Sequence, residues 1–167
     1  MPIVIMIQKT HTKIIHSTLE NCFKTPIYGD VRKIMTGYLI LPASEGVTDD
    51  NSWANPMGKR IVIAFGKPLC TEQIVVREEN MYWKYELVNF QQSSFFFTNK
   101  VTGEIKVSKI KSNQCEVSTT YSFYSNGIIS KFICFLFVHM LWSGLQKKGL
   151  NNIKKLAENN EPYFYPR

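Results

Sequence analysis

A chain of 167 residues, 44% hydrophobic and 20% charged, is long enough for one domain with a buried core and lacks the bias or repeats of disordered and solenoid chains. The formal net charge of +7 would suit nucleic acid or an anionic membrane, but the lysines are dispersed, with Lys100, Lys106, Lys109 and Lys111 around one turn and Lys147, Lys148, Lys154 and Lys155 on the last helix. That spread fits solvated faces, so no specific nucleic-acid site and only a weak membrane-surface preference are expected. Cys22, Cys70, Cys115 and Cys134, with His11, His16 and His139, have no metal-ligand spacing. No metal or cofactor is expected, and the thiols read as those of a reduced, cytoplasmic protein.

In chain order, Ile3 to Thr12 favours a strand, and its apolar run has neither the basic leader nor the cleavage site of a signal peptide. Ser17 to Glu20 reads as a capping box, with Ser17 at the cap, opening a short helix over Thr18 to Lys24 that Pro26 stops. A second short helix follows over Val31 to Met35, then a strand at Tyr38 to Leu41. Pro42 to Pro56 is polar and turn-rich, a mobile loop anchored by Trp53.

Strands then come in quick succession. Lys59 to Phe65 sets Ile61, Ile63 and Phe65 on one face, and Thr71 to Glu78 turns Ile74 and Val76 inward, with Glu72 assigned to solvent beside Glu86. Met81 to Val88 alternates Met81, Trp83, Tyr85 and Leu87 against polar residues. Ser93 to Asn99 is less regular, since Phe95, Phe96 and Phe97 cannot all point inward. Thr102-Gly103 reads as a turn, and Glu104 to Lys111 pairs with Gln114 to Tyr124 across Ser112-Asn113. The second of these strands places Val117, Thr119, Tyr121 and Phe123 on one side, the pattern of an antiparallel sheet with one face buried.

One long helix closes the chain, from Gly127 to about Asn160. At about 100° per residue, Ile128, Phe132, Phe135, Trp142, Leu150 and Ile153 form a single apolar stripe in which His139 and Gln146 are the polar interruptions. Its most apolar run, Phe132 to Trp142, falls well short of the roughly 20 residues a membrane span needs, and is expected to be a core helix.

This order of elements resembles the START-like, Bet v 1-like superfamily, which includes polyketide cyclase/dehydrase-like and lipid-transfer proteins, over essentially the whole chain. Locally, Gly58-Lys59-Arg60-Ile61-Val62 enters the sheet as in that family. Gly103-Glu104-Ile105 with Cys115 to Tyr121 resembles its hairpin before the last helix, and Leu150 to Glu158 its terminus. The family's glycine-rich loop is missing, and Phe65-Gly66-Lys67-Pro68-Leu69 stands in its place. The resemblance implies an α+β helix-grip fold, residues 1–167 as one domain: a curved antiparallel sheet of about seven strands wrapped on the C-terminal helix, with two short helices after the first strand.

It also implies a pocket between sheet and helix that binds, and can transport, a small hydrophobic or amphipathic ligand. The candidate ligand-binding residues are Trp83, Tyr85, Thr119, Tyr121, Phe123, Phe135, His139, Trp142 and Gln146: aromatic walls for affinity, with His139, Gln146, Thr119 and the tyrosines fixing orientation. No nucleophile motif occurs. A second reading is a cyclase or dehydratase-like enzyme with His139 as acid or base. A third is a non-catalytic interaction module whose cavity Phe132, Phe135 and Trp142 fill, docking through Phe95-Phe96-Phe97 or the tail Tyr163-Phe164-Tyr165.

Overall fold

β-Branched and aromatic residues with period-two burial build the sheet. In the computed structural model, which describes residues 4–48, 52–91 and 95–165, seven strands pair antiparallel in the order β1-β9-β8-β7-β6-β5-β4. These are β1 (Val4–Ile15), β4 (Gly46–Val47), β5 (Lys59–Ala64), β6 (Lys67–Glu78), β7 (Tyr82–Val88), β8 (Lys100–Lys111) and β9 (Gln114–Asn126). A second small sheet pairs β2 (Thr36–Tyr38) with β3 (Leu41–Ala43). Two short helices, α1 (Leu19–Tyr28) and α2 (Val31–Ile34), follow β1, and a helix over Ile128–Glu158 ends the fold. This is the expected α+β helix-grip architecture. Two bulges in β6, at Leu69 opposite Val62/Ile63 of β5 and at Val75 between Ile74 and Val76, bend the sheet around its concave side.

Several local expectations are corrected. Thr18, not Ser17, caps α1, its hydroxyl accepting from the Asn21 amide at 3.2 Å. Ser17 is buried and donates instead to the Ala157 carbonyl at 2.9 Å, tying α1 to the last helix. Pro26 does not stop α1. It sits inside the helix, buried, two residues before its end, where it leaves the Cys22 carbonyl without its i+4 amide donor. Gly103 is mid-strand in β8, opposite Tyr85 and Tyr121. A Cβ there would stand 2.1 Å from Tyr85 Cζ, so the glycine admits a ring rather than a turn. The Pro42 to Pro56 segment contains β4 and the end of β3, and Trp53 is its buried anchor, donating from Nε1 to the Ile27 carbonyl at 2.9 Å. Of the irregular segment Ser93 to Asn99, residues 93 and 94 lie outside the described residues. Phe97 is buried, Phe95 half-buried and Phe96 exposed.

The largest correction concerns the last helix. It is α-helical over α3 (Ile128–Phe137) and α4 (Ser143–Glu158), but Val138–Trp142 between them is a π turn, with the Ser143 amide bonded to the Val138 carbonyl. An i→i+5 turn holds about one residue more than an α turn, so the face N-terminal to it rotates. Buried positions run Ile153, Leu150, Gln146, Trp142, Val138 and Cys134, with steps of four across the wide turn. The stripe expected from an uninterrupted α-helix fails there: Ile128, Phe132 and Phe135 are 83%, 64% and 48% exposed, and His139 is exposed as well. Deleting His139 should convert the wide turn to an ordinary one and leave Cys134 and Val138 facing the sheet. The deletion variant is expected to unfold within about 1 kcal/mol of the parent chain in urea. A much larger loss would show that the five-residue turn is itself required for packing.

Candidate functional site

Between the concave sheet and the helix lies a cavity of about 300 Å³, at the small end of the range for ligand sites. Its wall is drawn from every layer: Pro26 and Ile34 from the short helices, Leu41 from β3, Val62 and Ala64 from β5, Leu69 and Cys70 from β6, Leu87 from β7, and Phe137, Leu141 and Leu145 from the last helix. Ile40 and Phe65, both exposed at turns, also border it. The interior is therefore not filled, which removes the argument for a vestigial cavity.

Of the residues singled out in the sequence, Trp83, Tyr85, Tyr121 and Trp142 line this cavity. They form a chain of rings: Trp83 stacks on Tyr85 at 4.8 Å, Tyr85 meets Tyr121 edge-on at 6.1 Å, and Tyr121 meets Trp142 at 5.0 Å. Tyr85 donates to the Tyr121 hydroxyl at 2.5 Å. Burial holds both phenols protonated, Tyr121 being pushed up to about 12 and Tyr85 well above its ordinary value, with the Glu72 charge adding to both.

Thr119, Phe123 and Gln146 are buried behind the wall. Gln146 Nε2 donates to Thr119 O at 2.8 Å, Thr119 Oγ1 at 3.1 Å and Lys9 O at 3.2 Å, pinning the helix to β9 and β1. Phe123 packs edge-on against Trp142 at 5.2 Å. Phe135 and His139 lie outside. Their rings meet at 4.3 Å on the exposed flank of the helix, displaced from the cavity by the π turn. An acid or base at His139 has no access to a ligand in the cavity.

The polar pole of the cavity was not anticipated. Arg60 and Glu72 line it, each 6% exposed, and Arg60 Nε contacts Glu72 Oε2 at 2.5 Å. They are direct cross-strand partners of β5 and β6. The guanidinium lies 3.6 Å over the Trp53 ring, and Trp53 meets Trp83 edge-on at 6.4 Å. The inward face of β5 is thus Arg60, Val62 and Ala64, while Ile61 and Phe65 are exposed, the reverse of the expected phase. The signal was present: Glu72 shares the phase of Cys70 and Ile74, and an opposite charge stands across from it. A hydrophobicity rule discards both because each charge is costly to bury alone.

No protein-family model and no curated protein matches the sequence. Solved structures do match. A norcoclaurine synthase of Thalictrum flavum, solved as a point mutant with a transition-state analogue, is 10% identical, with a TM-score of 0.67 over 95% of this chain and 98% of its own. Ara h 8.0201 is 12% identical, with a TM-score of 0.60 over 90% and 99% of the two chains. The di-domain ARO/CYC StfQ of the steffimycin biosynthetic pathway is 8% identical, with a TM-score of 0.69 over 93% of this chain and 51% of that one. Identities this low speak to architecture, and the architecture agrees in all three: the chain has the helix-grip fold of the START-like, Bet v 1-like superfamily.

Proposed function

We propose that the chain binds a small hydrophobic or amphipathic molecule in the cavity between sheet and helix and carries it to or from a membrane surface. The observation that carries this reading is the open cavity itself, apolar on most of its wall and polar at one end. Burying apolar ligand surface there contributes about 25 cal/mol per Å², and the aromatic chain from Trp83 to Trp142 supplies much of that surface. A norcoclaurine synthase of the same fold, solved with dopamine and hydroxybenzaldehyde, supports small-molecule binding as the use of such a cavity. Native mass spectrometry of the purified chain tests the reading: a co-purifying small molecule, released on organic extraction and rebound by the emptied protein, is the expected outcome. An emptied protein that binds no apolar probe would refute it.

The membrane part rests on the flank of the helix. Ile129, Phe132, Phe135, Leu136 and Met140 are all exposed there, within one to two turns of Phe137 and Leu141 on the cavity wall. The whole helix is long and apolar enough to cross a membrane by composition, and only 28% of its most apolar stretch is buried. Its C-terminal half is the core helix of the fold, through Leu145, Leu150, Ile153 and Ala157. The N-terminal half presents the kind of apolar patch that marks an interaction surface. No Asp or Glu occurs between Gly127 and Ala157, while five lysines do, which suits an anionic leaflet. Vesicles containing phosphatidylserine are expected to bind the chain more tightly than phosphatidylcholine alone. Phe132→Glu with Phe135→Glu should weaken that binding by about tenfold or more without changing stability, since neither ring is buried. Equal vesicle binding by the variant would refute the assignment.

All four cysteines are free and buried, and burial pushes the Cys22 and Cys70 thiols up to about 12. Unreactive free thiols fit a reduced compartment, and the cytoplasm is the proposed location.

A further inference from the structure

Resting on the ligand-binding reading, the geometry points to the π turn at Val138–Trp142 as a two-position switch whose setting a bound ligand holds. α3 is apolar on nearly every side, with only Ser130 and Lys131 breaking the pattern. In the position described above, Cys134 and Val138 are fully buried and Phe137 and Leu141 line the cavity, while Ile128, Phe132 and Phe135 stand in solvent. A helix that is apolar all round has no single face that packing must choose. Its hydrogen bonding is equally permissive. The Ser143 amide reaches five residues back to the Val138 carbonyl, and an ordinary turn would give it the His139 carbonyl instead, one bond exchanged for another.

That exchange adds about 1.5 Å of rise and turns everything N-terminal to it by about 100°. Extended at α-helical spacing from the buried Gln146, Leu150 and Ile153, the inward face becomes His139, Phe135, Phe132 and Ile128. Phe137 and Leu141 then leave the cavity wall, and Cys134 turns outward. The joint to β9 can follow the rotation. Gly127 has φ 88° and no side-chain cap, and nothing beyond its chain neighbours lies within 4 Å of where a Cβ would stand. The two positions differ in the space they leave. In the second, Phe135 and Phe132 swing toward the sheet and fill the cavity from its helix side. A ligand therefore binds the first position alone and shifts the chain toward it. Loading keeps the apolar flank outward, on the face proposed to meet a membrane.

Site-resolved alkylation of the thiols tests this, with iodoacetamide as the reagent, mass spectrometry as the readout and n-butylbenzene as the ligand probe. Cys134 rides on α3, whereas Cys22 and Cys115 lie on α1 and β9 and are equally buried. In the free chain, Cys134 should react about tenfold or more faster than those two. The α3 amides should meanwhile keep their protection from hydrogen exchange, because rotation preserves the helix. Probe at about ten times its Kd, measured by tryptophan fluorescence, should slow Cys134 about tenfold. In the chain lacking His139, whose ordinary turn holds Cys134 inward, Cys134 should react as slowly as Cys22 and Cys115. Equal rates for the three thiols in the parent chain would overturn the switch. So would α3 amides that exchange in step with the labelling, which is fraying, or a Cys134 rate that neither bound probe nor the deletion changes. A probe that does not bind would instead overturn the ligand-binding reading, and the comparison of parent and deletion variant would still decide the switch.

Discussion

Arg60→Met alone should destabilise the fold by about 3–5 kcal/mol, and Arg60→Met with Glu72→Met should restore most of that loss. Each side chain is almost wholly removed from solvent, and the only hydrogen bond of the Arg60 guanidinium among the described residues is to Glu72. Removing the cation leaves a buried carboxylate with no neutralising partner, whereas removing both leaves two apolar chains of similar length. The Arg60 guanidinium also covers the Trp53 ring, so some packing is lost in either case and recovery should stop short of complete. Urea denaturation of the two singles and the double closes the thermodynamic cycle. Additive losses would mean that the pair is not coupled and that the polar pole of the cavity is wrongly drawn.

Val62→Trp should abolish most ligand binding while leaving the fold intact. Val62 is half-buried, lines the cavity from β5 and stands opposite Cys70 of β6, another wall residue. The register shifts directly after it, where Leu69 of β6 is left without a partner, so strict pairing is already broken there. The indole would project into open space rather than into packed side chains, and filling a cavity tends to stabilise by about 0.5–2 kcal/mol. Affinity for butylbenzene is expected to fall by well over tenfold because the volume that held it is occupied. Unchanged affinity in a stable Val62→Trp chain would place the ligand elsewhere.

Much of the architecture was legible because its signals are local. Alternation in β7 and β9 put Trp83, Tyr85 and Tyr121 on the concave face, and the structure has them there. What failed was information held across the fold. The π turn at Val138–Trp142 leaves no mark on hydrophobic periodicity, so the helix face was extrapolated past it, and Phe135 and His139 were carried inward with it. Gly103 read as a turn because its reason is a ring on the neighbouring strand. Arg60 and Glu72 were lost for a related cause: each is favourable inside only in the presence of the other, twelve positions away and paired through the β5–β6 register.

These misses changed the site more than the fold. The sequence pointed to a helix bearing a histidine as the chemical face of the cavity, yet that face turns outward as an apolar flank. The sheet, through Arg60, Glu72 and Trp83, supplies the polar end instead.

A crystal of the chain soaked in n-butylbenzene measures the central claim most directly. The account predicts electron density for the probe inside the cavity, in contact with Trp83, Tyr121, Leu145 and Trp142. A saturated crystal with that space collapsed or empty, and the probe bound only on the outer helix flank, would contradict it.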